Sequence, residues 1–242
     1  MSAAAKLYLT RLTLKRDDAV VAPLLRDLLP RDGDGAMGIH HRLLWTLYAD
    51  RLERRPGKAP FLWRRMDGNG CFMLLGPEPA TENPYFRVET KPFDVSFRIG
   101  QHLAFELRLH ATIDRKPEAG VQKRGQRTDI VLNALHRIER NGQARSGPLR
   151  AAAAHDATAS WMERRGKADG FDVEALDVVS YRAVPPPRDM VPNGSLVGIS
   201  DLRGVLRVTD PLAFMTRLHK GFGRMKAFGC GLMLVRPALR DD

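Results

Sequence analysis

Apolar and polar residues alternate along several short segments of the chain, which is the pattern of half-buried β-strands. The predicted strands are 6–14, 61–66, 71–75, 94–99, 103–112, 171–184, 196–209 and the apolar 232–235. Between the second and third of these lies Asp67-Gly68-Asn69-Gly70, a strong hairpin signal because glycine and asparagine tolerate a positive φ.

Other segments repeat their apolar residues with the period of an α-helix. The predicted helices are 37–53, 130–140, 149–165 and 211–220. The last has the clearest start, because Asp210 is a favoured N-cap and Pro211 a favoured first residue. Segment 17–35 is predicted to be a long connection with one short helix.

The order of elements predicts the fold class. In the second half a strand from the middle of the chain precedes helix, strand, strand, helix and strand, which is the ferredoxin-like order of an α+β protein, a sheet with helices on one face. The first half begins in the same way but lacks an obvious second helix. We therefore predict tandem ferredoxin-like domains, 1–115 and 116–242, with the boundary in the loop-like stretch 114–125.

Charge narrows the choice of partners. Lys and Arg number 39 and Asp and Glu 28, a formal net charge of +11. The excess is concentrated in 121–167 and 203–242, as on a face that meets phosphates. The alternative is a genome that favours arginine codons. It would explain the total number of basic residues, but it explains their clustering in two segments less well. Acidic proteins and anionic lipid stay open as partners, although no amphipathic basic helix supports a lipid surface.

Location and cofactor chemistry follow from what the sequence lacks. It shows no apolar run long enough to span a bilayer and no signal peptide, so we expect a cytoplasmic protein without membrane contact. Two cysteines, Cys71 and Cys230, are too few for a disulfide framework or a cysteine-based zinc site. Carboxylate-rich metal motifs and nucleophile elbows are also missing, which favours metal-free proton transfer without a cofactor.

His40 and His41 near the start of the first long helix are the first candidates for chemistry. Histidine suits proton transfer near neutral pH. Both residues lie near the apolar side of the helical wheel, so either could instead be a buried packing residue. The wheel does not choose between them.

A glycine-rich stretch, 219–231, is the second candidate. Its glycines let backbone approach a ligand closely, and its cations can hold phosphate oxygens. The alternative is an ordinary turn with solvated cations. The residues that we assign to RNA binding here are Lys220, Gly221, Gly223, Arg224 and Lys226.

A string of cations in the middle of the chain is the third candidate. Such a string suits the phosphate backbone of a folded RNA, although a solvated loop and helix face would look the same. The residues that we assign to RNA binding are Lys123, Arg124, Arg127 and Arg150, with Arg137, Arg140 and Arg145 between them.

Taken together, these features resemble the CRISPR repeat-processing endoribonucleases of subtype I-E. The resemblance rests on the opening Tyr8-Leu9-Thr10-Arg11-Leu12, on the histidine at the helix start and, most specifically, on the closing stretch from Gly221 to Leu232. It implies tandem ferredoxin-like domains and a metal-independent cut at the foot of the CRISPR repeat hairpin. It further implies that the enzyme keeps the guide RNA as a subunit of a CRISPR interference complex.

Matching the helix start residue by residue places the family's histidine on His41, which is implied to be the catalytic general base or acid. The 2′-hydroxyl would attack the adjacent phosphate, leaving a 2′,3′-cyclic phosphate and a 5′-hydroxyl. A tyrosine that the family often has three positions earlier corresponds to Gly38, and Tyr8 and Tyr48 are candidates to replace it. A non-catalytic module that binds structured RNA on the same fold is the alternative.

Overall fold

A computed structural model describes residues 6–28, 37–48, 60–66, 70–115, 126–142, 147–185 and 196–238. The chain divides into two compact units. The first unit comprises 1–96, 185–195 and 225–232, and the second unit comprises 97–184, 196–224 and 233–242.

The first unit contains one four-stranded antiparallel sheet in the order β2-β3-β1-β4. Its elements are β1 (Tyr8–Leu14), α1 (Val21–Leu28), α2 (Met37–Leu44), a 3-10 turn (Trp45–Tyr48), β2 (Leu62–Arg65), β3 (Cys71–Gly76) and β4 (Phe86–Pro92). The helices lie between β1 and β2, and the last strand pairs with the first. This is the ferredoxin-like sheet order, and residues 77–85, which join β3 to β4, contain no helix.

The core of the first unit follows from alternation along β1. Thr10, Leu12 and Leu14 point into it, whereas Arg11, between the first two, is exposed. The helical side supplies Leu44 and Leu47, which are buried in the same apolar cluster. Burial of such side chains stabilises the fold by roughly 1.5–3 kcal/mol each, so this face holds α2 against the sheet.

The second unit repeats the arrangement with a four-stranded antiparallel sheet in the order β10-β5-β9-β8. Its elements are β5 (His102–Leu109), β6 (Thr112–Arg115), β7 (Gln126–Asp129), α3 (Ile130–Arg140), α4 (Gly147–Asp169), β8 (Phe171–Val184), β9 (Val197–Val208), α5 (Pro211–Lys220) and β10 (Met233–Pro237). Strands β6 and β7 pair only with each other, as a separate ribbon. The tandem ferredoxin-like prediction is confirmed.

Aspartate N-caps determine where two helices of the second unit begin. The carboxylate of Asp129 accepts hydrogen bonds from the backbone N–H groups of Val131 and Leu132 at the start of α3. Asp210 caps α5 in the same way, as predicted. Each cap is worth about 1 kcal/mol and determines where the helix begins.

Two expectations about the elements were wrong. Segment 94–99 forms no strand, and Val95 and Ile99 in it are exposed. The strand of this region is β4, whose polar, exposed residues weaken the apolar signal because it lies at the sheet edge. The stretch 114–125 was predicted to be a loop, but its first two residues belong to β6. The next residues that the structure describes, from Gln126 onward, form β7.

The division into units also differs from the predicted boundary between residues 115 and 116. It falls between Ser96 and Phe97, because β5 pairs with β9 and β10 and so belongs to the second sheet. No helix within the described ranges is long and apolar enough to span a membrane.

Candidate active site

His41 lies on α2 in an aromatic setting. The indole Nε1–H of Trp45, one helical turn later, donates a hydrogen bond to His41 Nε2 at 3.0 Å. The rings of Phe61 and Phe228 lie 5.8 and 6.1 Å from the imidazole between centroids, both tilted by 41°. The half-buried imidazole is thus held on several sides, which is what a proton-transfer group with a defined geometry requires.

His40 differs from its neighbour, because it is buried at 6% exposure. Its ring packs edge-on against Phe72 at 5.1 Å and Trp63 at 6.2 Å. Burial, followed by the positive charges of Arg65 and Arg16, lowers the pKa of His40 to about 4. His40 is therefore a neutral packing residue at physiological pH, and the structure separates the two histidines that the helical wheel left equivalent.

The second part of the glycine-rich stretch, Met225–Leu232, belongs to the same unit as His41. It forms a tight turn in which Met225 has a left-handed φ of 57° and residues Lys226–Phe228 form a 3-10 helix. The indole N–H of Trp63 donates to the carbonyl of Ala227 at 3.2 Å. This turn brings Phe228 against His41, so two features that the sequence singled out separately meet here.

The first part of the stretch, Gly221–Arg224, belongs to the second unit. Gly221 ends α5 with a φ of 70°, and its carbonyl accepts a hydrogen bond from Arg217 at 3.4 Å. Phe222 is fully buried in the core. The backbone N–H of Arg224 donates to the carbonyl of His110 at 2.9 Å, which fixes the base of an exposed cationic side chain.

His110 supports this loop and was missed by the sequence analysis. Its Nδ1 lies 2.8 Å from the carbonyl oxygen of Gly198 and 3.5 Å from the carboxylate of Asp129. Tyr181 donates its hydroxyl to the same carboxylate at 3.1 Å. Partners 19 to 88 residues away carry no local sequence signal, so only the fold reveals this network.

The other residues predicted to contact RNA lie on separate elements. Arg127 on β7 is exposed and pairs with Asp114 across the ribbon at 2.8 Å. Arg150 is exposed on the first turn of α4, and Lys220 is exposed at the end of α5. Lys123 and Arg124 lie outside the described residues.

The two tyrosines that are candidates to replace the one missing at position 38 have different surroundings. Tyr48 is buried, and its hydroxyl donates to the carbonyl of Pro77 at 3.0 Å. Burial raises the pKa of this phenol above its ordinary value, so Tyr48 is poorly suited to proton transfer. Tyr8 lies at the start of β1, with the ammonium group of Lys6 5.4 Å from its ring centroid.

The fold and these residues define a tandem ferredoxin-like protein in which a half-buried histidine lies against the second part of a glycine-rich, cationic stretch. Comparison with known families makes this specific: the model of the CRISPR-associated protein family matches residues 7–237. The chain therefore belongs to that family, and the resemblance drawn from the sequence is confirmed. No curated protein sequence matches the chain.

Solved structures share the fold. The chain is similar to Thermus thermophilus Cse3 bound to an RNA representing a pre-cleavage complex, with a TM-score of 0.63, 23% identity and coverage of 96% of this chain and 100% of that one. It is also similar to Cas6e from Escherichia coli K-12, with a TM-score of 0.59, 20% identity and the same coverage. A chain of a CRISPR RNA-guided surveillance complex matches with a TM-score of 0.56, 16% identity and the same coverage.

Proposed function

We propose that this protein is an endoribonuclease that cuts CRISPR repeat hairpins in precursor RNA. One observation carries the proposal: the imidazole of His41 packs against Phe228, so the candidate proton-transfer group lies against the same 3-10 turn as Lys226, a candidate RNA contact. Family membership and the likeness to Cse3, which its structure shows bound to RNA, support it.

The proposed reaction is a metal-independent transesterification within the RNA. The 2′-hydroxyl loses its proton and attacks the neighbouring phosphorus, the bond to the 5′-oxygen breaks, and that oxygen gains a proton. The products are a 2′,3′-cyclic phosphate and a 5′-hydroxyl. His41 transfers a proton, which is worth roughly 10²–10⁴-fold in rate.

Binding is assigned to the cationic and glycine-rich residues. The exposed guanidinium of Arg224 stands on a backbone fixed by His110, so only its side chain has to be ordered when it holds a phosphate. The full set proposed to contact RNA is Lys123, Arg124, Arg127, Arg150, Lys220, Gly221, Gly223, Arg224 and Lys226. We also propose that the protein keeps the guide RNA and joins other subunits of a CRISPR interference complex, as the match to a surveillance-complex chain supports.

The direct test is cleavage of a CRISPR repeat hairpin in EDTA. We expect one cut and a 2′,3′-cyclic phosphate end. His41→Ala is expected to slow cleavage at least about 10²-fold while the affinity for the hairpin stays the same. The matched control is His136→Ala on the exposed face of α3, which should cleave normally. Cleavage that needs a divalent metal, or that survives His41→Ala, would refute the proposal.

A non-catalytic module for structured RNA is the second candidate. It is favoured by Gly38 at the position of the family's tyrosine, and by the hydroxyl of Tyr48 being bound to the Pro77 carbonyl. It predicts tight binding of the hairpin with no cut under any metal condition. The same assay therefore distinguishes the two functions.

A further inference from the structure

The hydrogen bond between Trp45 and His41 determines where the proton on the neutral imidazole sits. An indole nitrogen can only donate, so the ring nitrogen 3.0 Å from it must present a lone pair. A neutral imidazole carries one proton, and with Nε2 as the acceptor that proton is on Nδ1. The contact is compatible with this tautomer only, because a proton on Nε2 would point at the indole N–H.

Packing keeps the two rings in this relation. Trp45 is 6% exposed and stands nearly perpendicular to the imidazole, at 82° and 6.1 Å between centroids. Phe61 packs edge-on against the indole at 5.4 Å and also lies against the imidazole. In the protein without RNA, a donor packed in this way keeps its N–H on Nε2 and so favours the tautomer in which Nε2 carries the lone pair.

The other ring nitrogen is shielded, since Nδ1 of His41 is buried from solvent. We therefore place proton exchange with a substrate at Nε2, whose lone pair accepts the indole N–H in the protein without RNA. A lone pair is what a general base needs and what a general acid lacks.

We infer that Trp45 is a positioning residue that holds His41 in its base-competent tautomer, so that His41 enters the reaction as the general base. The inference rests on the proposed function. The 2′-hydroxyl displaces the indole N–H from Nε2 and gives its proton to that nitrogen. The 2′-oxygen then attacks phosphorus and the bond to the 5′-oxygen breaks. The leaving oxygen takes up a proton from the imidazolium or from water, which balances the step.

The test combines a spectroscopic signature with kinetics. Protein labelled with ¹⁵N-histidine is examined at about pH 8, where imidazole is neutral. Long-range ¹H–¹⁵N spectra then show which ring nitrogen carries the proton, and His41→Asn identifies the signals. We expect the proton on Nδ1 in the wild type and a mixture of tautomers in Trp45→Phe, which keeps the aromatic packing but lacks the donor.

Kinetics on the same proteins give the second measurement. Trp45→Phe is expected to lower the single-turnover rate with saturating hairpin RNA about tenfold without changing the affinity. The matched control is Trp161→Phe on α4, which removes an indole N–H in the second unit and should alter neither measurement.

Each outcome decides a separate claim. A proton on Nε2 of His41 in the wild type, or a tautomer unchanged by Trp45→Phe, would overturn the inference. Correct tautomers in a protein that cuts no RNA would instead refute the proposed function, and the base role with it. Loss of signal dispersion in Trp45→Phe would indicate misfolding; Trp45→His, a smaller aromatic donor, would then have to restore the tautomer and the rate if the inference holds.

Discussion

Position 38 is occupied by glycine three residues before His41, on the same side of α2. A Cβ at this position would meet no atom within 4 Å, so a side chain can begin here without overlap at its first atom. At the scale of single residues this position is where the chain departs most clearly from the family that it resembles. The departure removes a hydroxyl, and the surroundings of the Gly38 backbone do not exclude a side chain there.

Restoring the tyrosine is therefore a prediction at this scale. Gly38→Tyr is expected to raise the single-turnover cleavage rate, up to the roughly 10²-fold that one positioned proton-transfer group supplies. Gly38→Phe is the matched control, because it also replaces glycine in the helix and adds a ring but no hydroxyl. Equal rates in the two variants would show that the phenol takes no part.

His40 provides a prediction about pH. Its folded-state pKa of about 4 lies below the ordinary 6.5, so folding favours the neutral imidazole. The stability that this contributes is fully present above about pH 6.5 and is lost as the pH falls towards 4, at most about 3 kcal/mol. Urea unfolding between pH 7.5 and 4 should therefore show a smaller acid-induced loss in His40→Phe than in the wild type. A His136→Phe control, at an exposed position, should leave the loss unchanged.

At the scale of elements, the glycine-rich segment matters because it is fixed at several points rather than loose. Gly223 has a φ of 62°, and a Cβ there would overlap the carbonyl oxygen of His110. That carbonyl is the acceptor for Arg224 N–H. The position therefore requires glycine for two reasons, backbone conformation and close approach of another strand.

Gly223→Ala is accordingly expected to displace Arg224 and to weaken hairpin binding about tenfold or more, measured by filter binding. Gly100→Ala is the matched control. Gly100 also has a positive φ, of 80°, but a Cβ there would meet nothing within 4 Å. In Gly100→Ala the left-handed backbone strain should lower the free energy of unfolding in urea by roughly 1–2 kcal/mol. The affinity of this variant for RNA should not change. Similar binding by both variants would mean that the close approach is unimportant.

At the scale of the whole molecule, the 39 lysine and arginine side chains overstate the number of cations available for phosphates. Much of the positive charge on the second sheet is already matched by carboxylates: Arg203 lies 2.8 Å from Asp177, and Arg207 lies 2.7 Å from Asp172. Replacing a cation that contacts a phosphate and one that is paired within the sheet should therefore have different effects.

Salt dependence measures that difference. Hairpin affinity should fall steeply as salt rises, and Arg224→Ala should reduce the slope of log K against log salt by roughly 0.7–0.9, the value of one phosphate contact. Arg203→Ala, which removes the same side chain from an ion pair, should leave the slope unchanged. Identical slopes in all three proteins would argue against a phosphate contact by Arg224.

Much of the secondary structure was predictable from local sequence. The long strands β8 and β9 and the helices α3, α4 and α5 were predicted within a few residues, since their periodic apolar positions and aspartate caps lie next to one another in the chain. Strands β4, β6 and β7 were missed. They are short or lie at an edge, and residues from distant parts of the chain determine their pairing.

The sequence by itself determined most of the alternation of elements, the tandem ferredoxin-like order and the two segments proposed to carry the chemistry, His40-His41 and the glycine-rich stretch. Only the tertiary structure decided which histidine is half-buried beside Phe228 and which is packed and neutral. It also decided that Trp63 holds the carbonyl of Ala227, across 164 residues of sequence. The physical reason is that burial and donor–acceptor contacts depend on neighbours in space, whereas periodicity and capping depend on neighbours along the chain.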